Sequence, residues 1–353
     1  MFKRYICYLF LCANILLTSC SSNIDQWTNI NIRIARYFSH GQYSQATHAT
    51  EKAIQVAEKT FGNEHLYTAN IMYNQVLIHF LQGDYAQAKP LLRRTLKIKE
   101  KLLGTDHVEV GFILTRLSEV MRFEGNYKQA KKHAEKAWNI LRPKLSPTHP
   151  NRMKALQNLA FIYETLELNS QAELLYKNIL AIKTKQLGKN NPRLIPFIQD
   201  LENIYIRNNK NKLAFELAQQ AFELKINESP DRQLNDTQPF INLAKLYLEF
   251  ENLNEAENLA EKVINLEQAT RDKVDPRLAQ DLACLAHIYI RQDKLSEAEK
   301  LYQKAYDIQN NTLPAGHPSR LKVIQNYVKL LHQLGNITAA KNMENELNKL
   351  LKN

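Results

Sequence analysis

Four histidines, His65, His107, His149 and His317, are the side chains of this sequence best suited to holding a metal or moving a proton. They lie 42 residues apart or at multiples of 42, each in a segment punctuated by Gly or Pro. Ligation of one zinc ion needs all donors within about 2.1 Å of it. Equivalent turns of separate helical repeats are kept about 8–10 Å apart by helix packing alone. These histidines therefore read as turn and capping residues. The acid pairs Glu255/Glu257 and Glu297/Glu299 fall on exposed helix surface, and no paired-Cys metal motif, phosphate-cradling glycine loop or nucleophile elbow is present. The chain offers no catalytic set, no metal ligands and no cofactor motif, so the expectation is binding without turnover.

The elements that place these residues come from a repeat. Ala46, Ala88, Ala130, Ala172, Ala214, Ala256, Ala298 and Ala340 stand 42 residues apart without a slip, a period that marks a solenoid. Five residues before each alanine come Gly41, Gly83, Gly125, Glu167, Asn209, Glu251, Asp293 and Gly335. Leu282, Leu285, Ala286, Ile288 and Tyr289 recur at helical spacing before Asp293, and Leu295, Ala298, Leu301, Tyr302 and Ala305 do so after it. Each unit thus reads as helix A, a tight turn, helix B and a longer turn. The phased alanine lets the two helices approach closely, where a larger side chain would overpack the contact.

Leu159-Ala160-Phe-Ile-Tyr163, Leu243-Ala244-Lys-Leu-Tyr247 and Leu285-Ala286-His-Ile-Tyr289, each followed by the turn and the phased Ala, resemble the tetratricopeptide repeat. The 42-residue period with Gly-x-x-His-Pro between units is similar to the version found in kinesin light chains. HEAT and armadillo repeats have comparable lengths but lack the Gly-Tyr turn and the phased Ala. The resemblance spans 25–345 and implies an all-α fold: a tetratricopeptide-type helical-hairpin solenoid, a right-handed superhelix of about eight units, with 346–353 as the end of the last helix.

The resemblance further implies that helix A lines a concave groove. The position before the Leu-Ala pair reads Asn74, Arg116, Asn158, Asp200, Asn242, Cys284 and Asn326. A neutral amide both donates and accepts, so this asparagine ladder is expected either to clamp the main chain of an extended peptide or to brace neighbouring helices. Lys245, Lys322 and Lys329 on the same face would favour an acidic segment. The expected partner is a protein or peptide, and nucleic acid is not expected.

At the amino terminus, Lys3-Arg4 and the apolar run Tyr5–Leu17 end in Leu17-Thr18-Ser19-Cys20, which resembles the bacterial lipoprotein signal. That likeness implies a signal peptide over 1–19, lipidation of Cys20, and a tether over 20–24. It implies an outer-membrane lipoprotein facing the periplasm or the cell surface, with envelope assembly, secretion or pilus machinery as settings. Display toward host or other external proteins is the alternative. Cys7 and Cys12 would leave with the signal, so Cys284 would have no partner for a disulfide and is expected at the core edge. The formal charge is +11, with charged residues at 24% and mean hydropathy −0.44. Arg93, Arg94, Lys97, Lys99 and Lys101, then Lys128, Lys131, Lys132 and Lys136, concentrate that charge in two B helices. They read as solvated faces or as a basic edge toward an anionic surface.

Overall fold

The computed structural model describes residues 30–227, 237–270 and 275–351, without position 31 and without the side chains of 266–270. The expected signal peptide, Cys20, the tether and a first helix starting near Asp25 lie outside the described residues. Among the described residues every regular element is helical. They form two compact units, one ending at Ile182 and the other beginning at Lys183.

In the first unit, α1 (32–39), α3 (Leu66–Gln82), α5 (Val108–Phe123) and α7 (Pro150–Thr165) are the A helices. Their B partners are α2 (Tyr43–Phe61), α4 (Tyr85–Leu103), α6 (Tyr127–Lys144) and α8 (Asn169–Leu187), the last of which carries the boundary. In the second unit a short 3-10 turn, Pro192–Leu194, leads into α9 (Ile195–Arg207) and α10 (Asn211–Ile226). There follow α11 (Gln238–Glu249), α12 (Leu253–Thr270), α13 (Pro276–Arg291), α14 (Leu295–Thr312), α15 (Pro318–Gln333) and α16 (Ile337–Leu350).

All eight phased alanines are fully buried. Ala46 sits in a core with Ile34, Ile71 and Ile78 in the first unit, and Ala256, Ala298 and Ala340 sit in one with Phe240, Leu282, Tyr302 and Leu330 in the second. Within the units α5 also touches α7, α11 touches α13, and α13 touches α15, so the A helices make the tighter layer and the B helices stand outside it. Gly111 permits a close approach of α5 to its own B partner α6: a Cβ there would fall 2.7 Å from Leu141 Cδ2 and 2.8 Å from its Cγ.

Each A-to-B turn is closed by one residue in the left-handed region. Gly41, Gly83, Gly125 and Gly335 have φ of 72–75°, and Glu167, Asn209, Glu251 and Asp293 adopt φ of 56–61° at the equivalent positions. The next residue's N–H then reaches back to a helix A carbonyl, as in Asn126 N to Met121 O (2.8 Å) and Lys294 N to Tyr289 O (2.9 Å). The turn geometry persists where the sequence loses its glycine.

The B-to-A turns explain the histidines. His65, His107, His149 and His317 are N-caps whose Nδ1 accepts the backbone N–H two residues on, at 3.2 Å. Asn191 and Asp275 fill the same phase with Oδ1, accepting from Arg193 N and Arg277 N at 3.0 and 2.9 Å. One orphan donor at each of these six helix starts is satisfied this way, whereas Thr237 before α11 makes no side-chain cap bond.

Candidate functional site

Because the A helices form the inner layer of each unit, their outward-turned polar residues define the candidate binding face. In the first unit that face is a network. Arg116 on α5 donates from Nη1 to Glu119 Oε2 at 3.0 Å and lies 4.9 Å from the Phe80 ring. Lys154 on α7 reaches the other Glu119 oxygen at 3.3 Å, so one carboxylate holds two cations from neighbouring helices. Burial holds the Lys154 ammonium below its usual range, and nearby Arg116 adds to that. Burial also raises the Tyr73 hydroxyl beside Arg116. Further along, the Arg122 guanidinium sits between the exposed rings of Phe123 and Phe161, 4.4 and 4.7 Å away.

The asparagines of this unit differ. Asn74 is partly exposed on α3. Asn158 is 7% exposed and donates from Nδ2 to Ser118 Oγ on α5 at 2.8 Å, while its Oδ1 is buried without a partner. Its side chain braces α7 against α5.

In the second unit Asn242 accepts from Gln238 Nε2 at 2.6 Å, one turn earlier on α11. Lys245 is exposed, and its charge acts on two buried groups of the adjacent A helices, Glu202 and Cys284. Lys322 and Lys329, on α15, are also exposed, and all three lysines lack a carboxylate within ion-pair distance among the described residues. Asn326, also on α15, faces the Tyr302 hydroxyl, which burial pushes up to about 12. Cys284 is buried at the core edge, with its thiol pushed up by burial to about 11, away from reactive thiolate character.

Glu202 belongs to none of the residue sets that the repeat pattern marks for binding. It is 0% exposed, and neither carboxylate oxygen has a partner at hydrogen-bond geometry. Burial pushes it up to about 7, against the opposing pull of Asn242 and Lys245. The signal was visible: Glu202 takes the place of the alanine in the Leu-Ala pair, where other repeats carry Ala160, Ala244 and Ala286.

Among the described residues no cluster of three His, Cys, Asp or Glu could hold a metal, and no helix is long and apolar enough to cross a membrane. Stacked hairpins presenting a polar inner face define a protein-interaction scaffold. Tetratricopeptide repeat models match residues 35–101, 70–142, 109–185 and 282–319, and the chain belongs to the tetratricopeptide repeat family.

Similar solved structures include the apo form of the quorum sensor NprR from B. thuringiensis. It has a TM-score of 0.62 and 14% identity, over 98% of this chain and 92% of its own. BtubC (BKLC) from P. vanneervenii gives 0.52 at 19% identity, covering 65% and 91%. A Podosopora anserina kinesin light chain with nearly identical repeats gives 0.32 at 20%, covering 69% and 96%. No curated protein sequence matches the chain.

Proposed function

We propose that this chain is a lipid-tethered, extracytoplasmic scaffold that binds an extended segment of a partner protein along its A-helix face. The observation that carries the reading is in the second unit. Lys245, Lys322 and Lys329 present exposed ammonium groups with no carboxylate paired to them among the described residues, beside the amides of Asn242 and Asn326. Amides satisfy a peptide main chain whatever its side chains, and unpaired cations favour acidic ones. On the A-helix face of the first unit Asn74 and Arg116 would contact a partner segment, and Asn158 would hold the helices in place. Cys20 would carry the lipid, placing the scaffold at the outer membrane, facing the periplasm or the cell surface, in assembly, secretion or pilus work.

The test uses the chain from Ser21, which keeps every described helix. Fluorescent extended peptides of acidic, neutral and basic composition are titrated against it and against Lys245→Glu/Lys322→Glu/Lys329→Glu. Preference for acidic peptides, weakened at least tenfold in the variant with an unchanged melting curve, supports the reading. Equal binding of all three compositions, or no loss in the variant, rejects it. Metabolic labelling with a palmitate analogue tests the anchor separately: label on the native chain and none on Cys20→Ser is expected.

A further inference from the structure

The B helices of the first unit carry a lopsided charge. Helix α4 has six Lys and Arg against one acid, Glu100, and α6 has six against one acid, Glu135. Seven of these twelve cations meet a carboxylate, as Arg94 meets Glu58 at 2.7 Å and Lys136 meets Glu100 at 2.8 Å. Arg93, Lys97, Lys128, Lys132 and Arg142 remain exposed with no carboxylate within ion-pair distance among the described residues. Arg93 and Lys97 are one turn apart on α4, and Lys128 and Lys132 one turn apart on α6.

The two stripes share one field. His133 on α6 is held below its usual pKa by burial first, then by Lys136 of its own helix and Arg93 of α4, with Glu100 opposing. In the second unit the equivalent helix α12 has the opposite balance, four acids against Lys262. The basic face is thus a local property of α4 and α6.

We propose that this B-helix face of the first unit rests on an anionic lipid surface. The inference depends on the reading of Cys20 as the lipid-bearing residue. Ile30 stands ten residue steps after Cys20, about 35 Å at full extension. The tether therefore holds the first unit beside the bilayer at high effective concentration. The chemistry of the face favours lipid over an acidic protein. A protein interface centres on aromatic or apolar anchors seated in pockets, and Leu102 is the one large apolar side chain exposed on α4 or α6. Anionic headgroups need only Lys and Arg within a Debye length. With α4 and α6 on the membrane, Arg116, Glu119 and Lys154 on the opposite layer face the aqueous side.

The chain from Ser21 is sedimented with phosphatidylcholine vesicles, with and without phosphatidylglycerol, at low and high salt. Binding to the anionic vesicles alone, relieved by salt, is expected. Arg93→Gln/Lys97→Gln/Lys132→Gln should partition on the order of a hundredfold more weakly, about fivefold for each cation removed. Its far-ultraviolet circular dichroism should not change. Lys262→Gln/Lys304→Gln, in the second unit, should bind like the native chain. Equal binding to both vesicle types, an undiminished triple variant, or binding to polyglutamate in place of vesicles would overturn the proposal. Because the chain from Ser21 carries no lipid, these outcomes are independent of whether Cys20 is acylated, which palmitate labelling reads on its own.

Discussion

Asn158 and Ser118 meet across two successive A helices, the amide Nδ2 donating to the hydroxyl Oγ at 2.8 Å in the interior of the first unit. The bond ties α7 to α5 at the level of the candidate binding face. Asn158→Ala should therefore destabilise the chain by roughly 1–2 kcal/mol, the cost of a lost buried hydrogen bond and an unmatched hydroxyl. Peptide affinity should stay within twofold. Urea unfolding and peptide titration of the same variant measure both. Unchanged stability with lost binding would reassign Asn158 as a direct ligand contact.

Glu202 lies forty residues before Asn242, the same offset as Ser118 before Asn158, but there the position opposite the amide holds a buried titratable carboxyl rather than a hydroxyl. The folded chain keeps a proton on Glu202 up to pH of about 7, whereas an ordinary carboxyl releases it near 4.5. Between those values the folded state binds more protons, so stability falls as pH rises through the window. Glu202→Gln should be more stable than the native chain at pH 8, on the order of 2–3 kcal/mol. The difference should vanish near pH 4. A variant less stable at pH 8 would mean that the carboxylate is well paired.

The four left-handed turns without glycine give a graded prediction. A side chain at positive φ costs about 1–2 kcal/mol, less for Asn, while glycine adds unfolded-state entropy. Glu167→Gly and Glu251→Gly should each stabilise by about 1 kcal/mol, and Asn209→Gly by less. The Arg291–Glu251 pair lost in the second variant is mostly solvent-exposed and contributes little. Thermal melts of the three variants read the order directly, and a loss of stability in Glu167→Gly would contradict the turn assignment.

Gly111 sets two effects against each other. Gly111→Ala gains about 1 kcal/mol of helix propensity, but its Cβ would press on Leu141 Cγ at 2.8 Å. Overpacking of about 1–3 kcal/mol is the larger effect, so net destabilisation in urea is expected. A neutral result would mean that Leu141 swings clear at no cost.

Most of the fold was legible because a solenoid writes the same packing constraint every 42 residues. The phased alanines, the capping histidines and the left-handed turn positions all follow from register alone. What register does not fix is pairing between side chains of different repeats. Asn74, Asn158, Asn242 and Asn326 look identical in sequence, but Asn158 faces Ser118, Asn242 faces Gln238 and Asn326 faces Tyr302, so each amide has a different task. Arg116 likewise reads as a free cation, although Glu119 and Phe80 already engage it. Glu202 is not legible as a site, because a charged residue in an alanine slot looks like a degenerate repeat until its burial is known.

Recognition through the A-helix face is tested most directly by placing a photoreactive residue at Lys245, on the inner layer, or at Lys262, on the outer layer of the same unit. After irradiation in living cells, a discrete protein adduct is expected from position 245. It should disappear when Lys322 and Lys329 are changed to Glu, and position 262 should give none. An adduct from 262 alone, or one from 245 indifferent to those two charges, would contradict the account.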